Sequence, residues 1–244
     1  MTAGLVDAVV LAAGGATRMG GEDKLLTPLG DAPLIVWSLR AFEQAPEVRH
    51  VVVTASPANR DQIADVIHAA RLTKVTRVIL GGTSRAGSVL CGLEALADGG
   101  AAFAAIHDGA RPFVTPGIIA RGVQAAHAHG AAVAAVPSVD TVKLVTPAGR
   151  VSRTLPREQV WLAQTPQIGP LDALLEAHRR NRDRLADFTD DVALLEHEGV
   201  PVHVFESDAG NVKITRPADL QAARVRVASM PGYPDAMTEP DTQQ

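Results

Sequence analysis

Short apolar runs alternate with amphipathic stretches along the chain, from its N-terminus to residue 136. The runs are rich in Val, Ile, Leu and Ala, whereas the stretches between them repeat with the period of an α-helix. This alternation predicts an α/β fold in which helices cover a doubly wound, mostly parallel, Rossmann-like sheet. The predicted strands span residues 8–13, 50–55, 75–80, 102–107 and 131–136, and the predicted helices begin near residues 33, 57, 84 and 116.

The alternation stops after residue 136, where two further strands replace the expected helix. Residues 139–145 and 149–155 have strand character, and residues 146–149 are typical of a turn between them. A two-stranded unit is poorly stable alone in water, so it must pack on something, and a second subunit is the economical candidate. We therefore expect residues 137–158 to form a β-arm that mediates dimerisation.

Alternating elements return beyond the arm. Helices are predicted near residues 171–179 and 190–198, followed by a strand at 202–206 and a last helix near 217–227. The segment 230–244 has no apolar period, which predicts a disordered tail. A chain of 244 residues suits one large domain, which we expect to span residues 1–229.

The apolar run near the N-terminus ends in a glycine-rich turn. From Val9 to Lys24 the sequence is VVLAAGGATRMGGEDK. Small residues let a backbone approach phosphate groups closely, and exposed N–H groups in such a turn bind anions. Arg18 and Lys24 supply the positive charge that a triphosphate requires. The turn therefore predicts a loop that holds a nucleoside triphosphate at the mouth of the sheet.

Two common phosphate-binding motifs do not fit this loop. A Walker loop needs Lys and then Ser or Thr after its glycine frame, but Gly21 and Glu22 follow Gly15 and Gly20. The dinucleotide pattern fails because Ala16 occupies its second glycine position. An ordinary strand-to-helix turn is the structural alternative. The remaining pattern, A-A-G-x-x-x-R-M-G followed by Lys, is the signature of several sugar-nucleotide and cofactor-nucleotide transferases.

Another glycine-rich segment follows the strand predicted at residues 75–80. Gly81, Gly82 and Thr83 come directly after this strand and open a helix. Glycines and hydroxyl groups at such a position suit contacts to a base and a ribose, and the helix N-terminus favours anions. A helix cap formed by Thr83 or Ser84 is the structural alternative.

The strand predicted at residues 102–107 ends in the segment HDGARP. Ligands of doubly wound sheets bind at the carboxyl ends of the strands, so these residues belong to the same region. Asp108 can hold a Mg²⁺ ion or a ribose hydroxyl, and Arg111 can contact a phosphate. A structural Asp–Arg pair that stabilises the turn is the competing interpretation.

Composition argues against several classes of protein. The formal net charge of −4 and the lack of a basic stripe argue against a general nucleic-acid binder. No apolar run approaches the ~18 residues of a membrane span, so we expect no membrane contact and a cytoplasmic location. Cys91 is the only cysteine and lies in an apolar helical pattern, which predicts a core thiol. No Cys or His cluster has the spacing of a zinc site.

Further polar motifs are DTVK at residues 140–143, Arg157, QTPQ at 164–167, TDD at 189–191 and NVKIT at 211–215. Taken in order with the two glycine-rich segments and HDGARP, they resemble the 2-C-methyl-D-erythritol 4-phosphate cytidylyltransferase family of the non-mevalonate isoprenoid pathway. The N-terminal loop alone admits many nucleotidyltransferases. The full set is far more specific, and the resemblance runs from about residue 6 to residue 225.

The resemblance implies a nucleotidyltransferase of the EC 2.7.7 class. A phosphate oxygen of 2-C-methyl-D-erythritol 4-phosphate would attack the α-phosphorus of CTP and release pyrophosphate, with Mg²⁺ as cofactor. The catalytic residues implied are Arg18 and Lys24, which stabilise the transition state, and Arg157 and Lys213, which position the acceptor phosphate.

The resemblance also implies binding residues and a partner. For the nucleotide they are Ala12, Ala13, Gly14, Gly15, Gly81, Gly82, Thr83, Ser88 and Asp108. For the acceptor they are Asp108, Arg111, Thr141, Arg157, Thr189 and Lys213, and Asp108 is also the candidate metal ligand. The arm would reach across a homodimer and place Thr141 and Arg157 in the partner's site.

Two alternatives remain open at the level of sequence. The first keeps the chemistry with another acceptor, such as ribitol 5-phosphate or a molybdopterin cofactor. The set of Thr141, Arg157 and Lys213 argues against molybdopterin. The second is a nucleotide-sensing protein that kept the fold without turnover, and the presence of Arg18, Lys24 and Lys213 argues against it.

Overall fold

A sheet of seven strands lies at the centre of the protein, with helices on both faces. The computed structural model describes residues 5–14 and 23–230. The strands are β1 (Val6–Ala12), β2 (Pro28–Leu29), β3 (Ala32–Pro33), β4 (Val48–Ala55), β5 (Val75–Leu80), β6 (Phe103–Asp108), β7 (Ala132–Pro137), β8 (Lys143–Val145), β9 (Val151–Thr154), β10 (Trp161–Pro170) and β11 (His203–Glu206). The α-helices are α1 (Leu34–Gln44), α2 (Arg60–Ala69), α3 (Arg85–Leu96), α4 (Pro116–His129), α5 (Leu171–Arg180), α6 (Asp191–His197) and α7 (Pro217–Ala228).

The strands of the central sheet run in the order β11-β7-β10-β6-β1-β4-β5. Strand β10 is antiparallel to both of its neighbours, and the other pairings are parallel. Successive residues of β1 face opposite sides, so Val10 packs into one hydrophobic cluster and Val9 into the other. Burial on both faces explains why β1 is a continuous apolar run. The predicted α/β, mostly parallel sheet is confirmed.

Strand β10 lies outside the sequence prediction. It occupies the position between β6 and β7, and its pairing with β7 shifts register between Ala163 and Gln167. Its sequence, WLAQTPQIGP, contains two prolines, a glycine and three polar residues, which argue against a strand when only the local pattern is read. The hydroxyl of Thr165 in β10 accepts a hydrogen bond from the backbone N–H of Asp108 at 3.1 Å. This unpredicted strand therefore fixes the end of β6.

The two strands predicted beyond residue 136 are present in shorter form as β8 and β9. They pair with each other in a separate antiparallel sheet, and all of their residues are exposed. Leu144, Val145 and Val151 present apolar side chains to solvent on this hairpin. That this hairpin mediates dimerisation stays a prediction.

The elements predicted after the hairpin correspond to α5, α6, β11 and α7 within a few residues. The tail predicted from residue 230 falls almost entirely outside the described residues. Across the described ranges, no helix combines the length and the apolar character that a membrane crossing requires.

Candidate active site

A cavity of about 480 Å³ opens at the carboxyl ends of β1 and β6, beside the N-terminus of α3. The ends of parallel strands meet at one edge of a sheet, so segments distant in sequence converge here. In β1, Leu11 pairs with Asp108 of β6, which brings the carboxyl end of β1 next to the HDGARP segment. The predicted site residues that line the cavity are Ala13, Gly14, Lys24, Gly82, Thr83, Ser88, Asp108 and Lys213.

The wall formed by the start of α3 depends on glycine. A Cβ atom at Gly82 would lie 2.7 Å from the backbone carbon of Gly87, so no larger residue fits without moving the helix start. The hydroxyl of Ser88 donates to the carbonyls of Ser84 at 2.9 Å and Gly82 at 3.3 Å. Ser84 also caps the helix by accepting from the N–H of Gly87 at 3.0 Å. The cap foreseen as an alternative is thus present at Ser84, and the same segment still lines the cavity.

Asp108 is the negative centre of a cluster of cations. The Lys213 ammonium lies 2.7 Å from its Oδ2, and Nε of Arg85 lies 3.0 Å from its Oδ1. Burial alone would raise the pKa of this carboxyl, but Arg85 and Lys213 outweigh burial and hold the pKa well below its usual range. Asp108 therefore stays ionised and orients the two cations.

A buried network continues from Arg85 away from the cavity. Its Nη1 lies 2.8 Å from Oδ2 of Asp191, and Oδ1 of Asp191 lies 3.3 Å from Nε2 of His178. Burial alone would lower the pKa of Arg85, but Asp191 and Asp108 outweigh it and raise that pKa. Gln167 in β10 accepts hydrogen bonds from the backbone of Asp191 at 2.9 Å. These contacts hold the guanidinium of Arg85 in a single position beside the cavity.

Arg85, Asp191 and His178 were not among the site residues predicted from sequence. One local signal could have pointed to Arg85. It stands in the first turn of α3, where the positive end of the helix dipole disfavours a cation. An arginine in that position requires carboxylate partners, and the structure supplies Asp108 and Asp191. Their identity could not be read from the sequence because they lie far away along the chain.

Lys24 is held by a hydrogen bond from its own ammonium and by the anchoring of its neighbour Asp23. Its ammonium donates to the carbonyl of Ile214 at 3.0 Å, directly after Lys213. The carboxylate of Asp23 accepts from the N–H of Leu25 at 2.9 Å and from the side-chain amide of Asn59. Asn59 in turn donates to the carbonyl of Ala12 at the end of β1. Lys24 and Lys213 thus reach the same cavity from opposite ends of the chain.

Other predicted residues lie away from the cavity wall. Thr141 and Arg157 are exposed on and beside the hairpin, where Nη1 of Arg157 donates to the carbonyl of Val139 at 3.3 Å. Arg111 does not line the cavity, and its Nη1 donates to the carbonyl of Asn211 at 2.8 Å. Its Nε lies 3.9 Å from Asp108. The predicted structural pairing of Asp108 with Arg111 is therefore present, although Lys213 and Arg85 are closer.

The remaining predicted residues occupy three places. Thr189 lines a smaller cavity of about 140 Å³, which shares Ser84 and Arg85 with the main one. Ala12 is buried at the end of β1, and a Cβ on Gly81 would lie 2.6 Å from the hydroxyl oxygen of Ser88; neither residue lines the main cavity. Gly15 and Arg18 fall outside the described residues.

The donor set can be compared with the needs of a divalent metal. Within residues 5–14 and 23–230, no group of three or more His, Cys, Asp or Glu side chains is placed to hold a metal ion. Asp108 is the acidic side chain on the cavity wall, and Arg85 and Lys213 already contact its two oxygens. Mg²⁺ commonly takes one carboxylate and completes its shell with phosphate oxygens and water. Asp108 is thus the one carboxylate that the described part of the cavity wall could offer to a magnesium ion carried by a triphosphate.

Comparison with known proteins gives one consistent result. The chain matches the model of the IspD family, described as 2-C-methyl-D-erythritol 4-phosphate cytidylyltransferase, over residues 6–229. A protein with that description from Dehalococcoides mccartyi is 40% identical over 90% of this chain and 95% of its own length.

Solved structures agree with the family match. The 4-diphosphocytidyl-2C-methyl-D-erythritol synthase of Anaerococcus prevotii superimposes with a TM-score of 0.81 at 25% identity, covering 92% of this chain and 96% of its own. The 2-C-methyl-D-erythritol 4-phosphate cytidylyltransferase of Thermus thermophilus gives a TM-score of 0.72 at 32% identity, covering 91% of this chain and 98% of its own. The chain therefore belongs to the 2-C-methyl-D-erythritol 4-phosphate cytidylyltransferase family.

Proposed function

We propose that this protein transfers the cytidylyl group of CTP to 2-C-methyl-D-erythritol 4-phosphate, giving 4-diphosphocytidyl-2-C-methyl-D-erythritol and pyrophosphate for isoprenoid precursor synthesis. The observation that carries the proposal is the family match over residues 6–229, together with a cavity in which Lys24 and Lys213 lie beside Asp108. The cavity volume of about 480 Å³ falls within the usual range for small-molecule sites.

The reaction exchanges one phosphorus–oxygen bond for another. A phosphate oxygen of the acceptor forms a bond to the α-phosphorus of CTP, and the bond from that phosphorus to the bridging oxygen of the β-phosphate breaks. Pyrophosphate leaves with the electron pair of the broken bond. Negative charge accumulates around a five-coordinate phosphorus, where fixed cations stabilise it. Lys24 supplies one such cation, and Arg18 is proposed to supply another.

The nucleotide subsite is proposed along the glycine-rich walls. Ala13, Gly14, Gly82 and Ser88 line the cavity next to the positive end of α3. Small residues there leave room for the base and ribose, and backbone N–H groups face the phosphates. Ala12, Gly15, Gly81 and Thr83 complete this subsite in the proposal.

The acceptor subsite is proposed around Lys213. Its ammonium is already held by Asp108, which leaves its other N–H bonds for a phosphate. Arg111, whose Nε lies 3.9 Å from Asp108, and Thr189, in the smaller cavity beside Arg85, are proposed as further contacts to the acceptor. Mg²⁺ would be held by Asp108 and the triphosphate, and when bound it would supply further positive charge between phosphate oxygens.

A homodimer is part of the proposal because two predicted site residues lie outside the cavity. Thr141 and Arg157 are carried by the segment 137–158, whose hairpin exposes apolar side chains that a second copy could cover. In this arrangement the hairpin of one protomer places Thr141 and Arg157 at the cavity of its partner. Residues 1–229 are proposed to form the single catalytic domain, and a cytoplasmic location remains a prediction.

The function is tested by measuring pyrophosphate release from CTP and Mg²⁺. The acceptors 2-C-methyl-D-erythritol 4-phosphate and ribitol 5-phosphate are offered in parallel, and CTP binding is measured separately by calorimetry. We expect release with the first acceptor alone. Release with ribitol 5-phosphate alone would keep the chemistry but change the acceptor. CTP binding without release from either acceptor would contradict the proposal in favour of a nucleotide sensor.

A further inference from the structure

Two arginines hold neighbouring carbonyl groups in the segment that precedes Lys213. Arg226 of α7 donates from Nη1 to the carbonyl of Gly210, and Arg111 donates from Nη1 to the carbonyl of Asn211 at 2.8 Å. The guanidinium carbon of Arg226 also lies 4.1 Å from the ring centre of Phe113, a cation–π contact. Arg226 therefore joins the loop that follows β6 to the segment that follows β11.

These carbonyls belong to a segment, residues 208–215, that also contains Lys213 and contacts Lys24, and so links the two lysines of the cavity. Lys213 binds Asp108, and the carbonyl of Ile214 accepts the hydrogen bond from Lys24. The N–H of Ile214 donates to the carbonyl of Ala110 at 2.8 Å. A shift of the segment would therefore move the Lys213 ammonium relative to Asp108.

The position of Arg226 depends on the absence of a side chain at residue 210. A Cβ atom on Gly210 would lie 2.5 Å from Nη1 and 2.7 Å from Nη2 of Arg226. A larger residue would push the guanidinium away from both the carbonyl of Gly210 and the ring of Phe113. Glycine and arginine thus form a matched pair at this contact.

We propose that Arg226 is a positioning residue for the acceptor side of the reaction. Its side chain does not line the cavity. Its guanidinium sets the path of residues 208–213, and so the location of the Lys213 ammonium. The role in acceptor binding rests on the proposed function, in which Lys213 binds the acceptor phosphate, whereas the role in holding the segment does not.

The first test compares Arg226→Met with Arg224→Met, a change at an exposed arginine of the same helix. Loss of a hydrogen bond to a charged group should raise the KM for 2-C-methyl-D-erythritol 4-phosphate roughly tenfold in Arg226→Met and leave the KM for CTP unchanged. Arg224→Met should match the parent protein in both constants. A fall in kcat alone, or equal rises in both KM values, would overturn the proposal.

The second test perturbs the same contact from its other partner. Gly210→Ala should raise the acceptor KM as Arg226→Met does, and the double variant should be no worse than the worse single variant. If the rise in the acceptor KM of the double variant equals the product of the two single rises, the two residues act independently, which contradicts the proposal.

The third test needs no turnover. Amide hydrogen exchange of residues 211–214, measured without substrates, should be faster in Arg226→Met than in the parent or Arg224→Met. Unchanged exchange would overturn the inference even if the enzyme is fully active. If the parent protein turns over neither acceptor, the proposed function fails while this measurement still decides whether Arg226 holds the segment.

Discussion

The ammonium of Lys213 lies 2.7 Å from the carboxylate of Asp108, although 105 residues separate the two in sequence. Strand β6 ends at Asp108, and the segment after β11 delivers Lys213 to the same edge of the sheet. In the proposed reaction, an acceptor phosphate that enters the cavity would share this ammonium with Asp108. The contact with Asp108 orients the Lys213 side chain before any substrate arrives.

Lys24 should be required for turnover. Replacing Lys24 with Ala removes a cation from the cavity wall, and the loss of one charge-stabilising group should lower kcat roughly 10²–10³-fold. Lys74→Ala is the matched control because the Lys74 ammonium also donates to a backbone carbonyl, that of Ala45, but does not line the cavity. Steady-state kinetics with CTP and the methylerythritol acceptor measure both variants. Near-parental turnover of Lys24→Ala would remove this residue from the mechanism.

Exchange of the hairpin between protomers predicts complementation. Lys24→Ala and Arg157→Ala should each be inactive, but a hybrid dimer contains one cavity with Lys24 and the partner's Arg157 both intact. Random mixing should restore about a quarter of the parental activity. A mixture of Lys24→Ala with Lys213→Ala should restore nothing, since both residues line the same cavity of one chain. No recovery in the first mixture, with subunit exchange demonstrated by mass spectrometry, would place Arg157 in its own protomer's site.

The network around Arg85 should contribute strongly to folding stability. Arg85→Met leaves the buried carboxylates of Asp108 and Asp191 without their shared cation, which should lower the free energy of unfolding by about 3–5 kcal/mol. Arg179→Met breaks an ion pair with Glu94 in which both side chains are about half exposed. This change should alter the free energy of unfolding by less than about 1 kcal/mol. Urea unfolding at neutral pH measures both. Equal effects would show that burial does not matter to the network.

His107 should make stability depend on pH. Burial lowers the pKa of His107 to about 3 in the folded protein, whereas an unfolded histidine titrates near 6.5. The unfolded chain therefore binds more protons between these values, so stability is full above about pH 6.5 and is lost as the pH falls toward 3. The parent should lose roughly 1 kcal/mol per pH unit more than His107→Gln between pH 6 and about pH 4.5.

The control for this prediction is His68→Gln, at an exposed position of α2, which should keep the parental pH dependence. Urea unfolding at several pH values gives the slopes, and only slopes are compared because His107→Gln also removes hydrogen-bonding partners of Thr165 and Arg111. Identical slopes for the parent and His107→Gln would show that His107 is protonated alike in the folded and unfolded states.

Local sequence patterns were sufficient for much of the fold. The valine-rich runs predicted the parallel strands because strands buried on both faces need continuous apolar sequence. The carboxyl-end rule then predicted that Gly82, Asp108 and the N-terminal loop converge, and Gly82, Asp108 and the described loop residues Ala13, Gly14 and Lys24 all line the cavity. Lys24 was predicted from the glycine-rich loop and Lys213 through the family motifs, and both line that cavity.

The parts that escaped prediction depend on long-range contacts. Strand β10 contains Pro166 and polar residues that a local reading assigns to a loop, yet pairing with β6 and β7 makes it a strand. Arg85 finds its partners Asp108 and Asp191 far along the chain. Arg226 donates to the carbonyl of Gly210, a contact that the local sequence of helix α7 cannot indicate. Only the folded structure brings these groups together.

The most direct test of the account follows the oxygen atoms of the acceptor. The protein is given CTP, Mg²⁺ and 2-C-methyl-D-erythritol 4-phosphate whose non-bridging phosphate oxygens are ¹⁸O, and the products are examined by ³¹P NMR. Attack by the acceptor phosphate on the α-phosphorus predicts an isotope shift on both phosphorus atoms of the cytidine diphosphate product and unlabelled pyrophosphate. Label in the pyrophosphate, or an α-phosphorus without an isotope shift, would contradict the account.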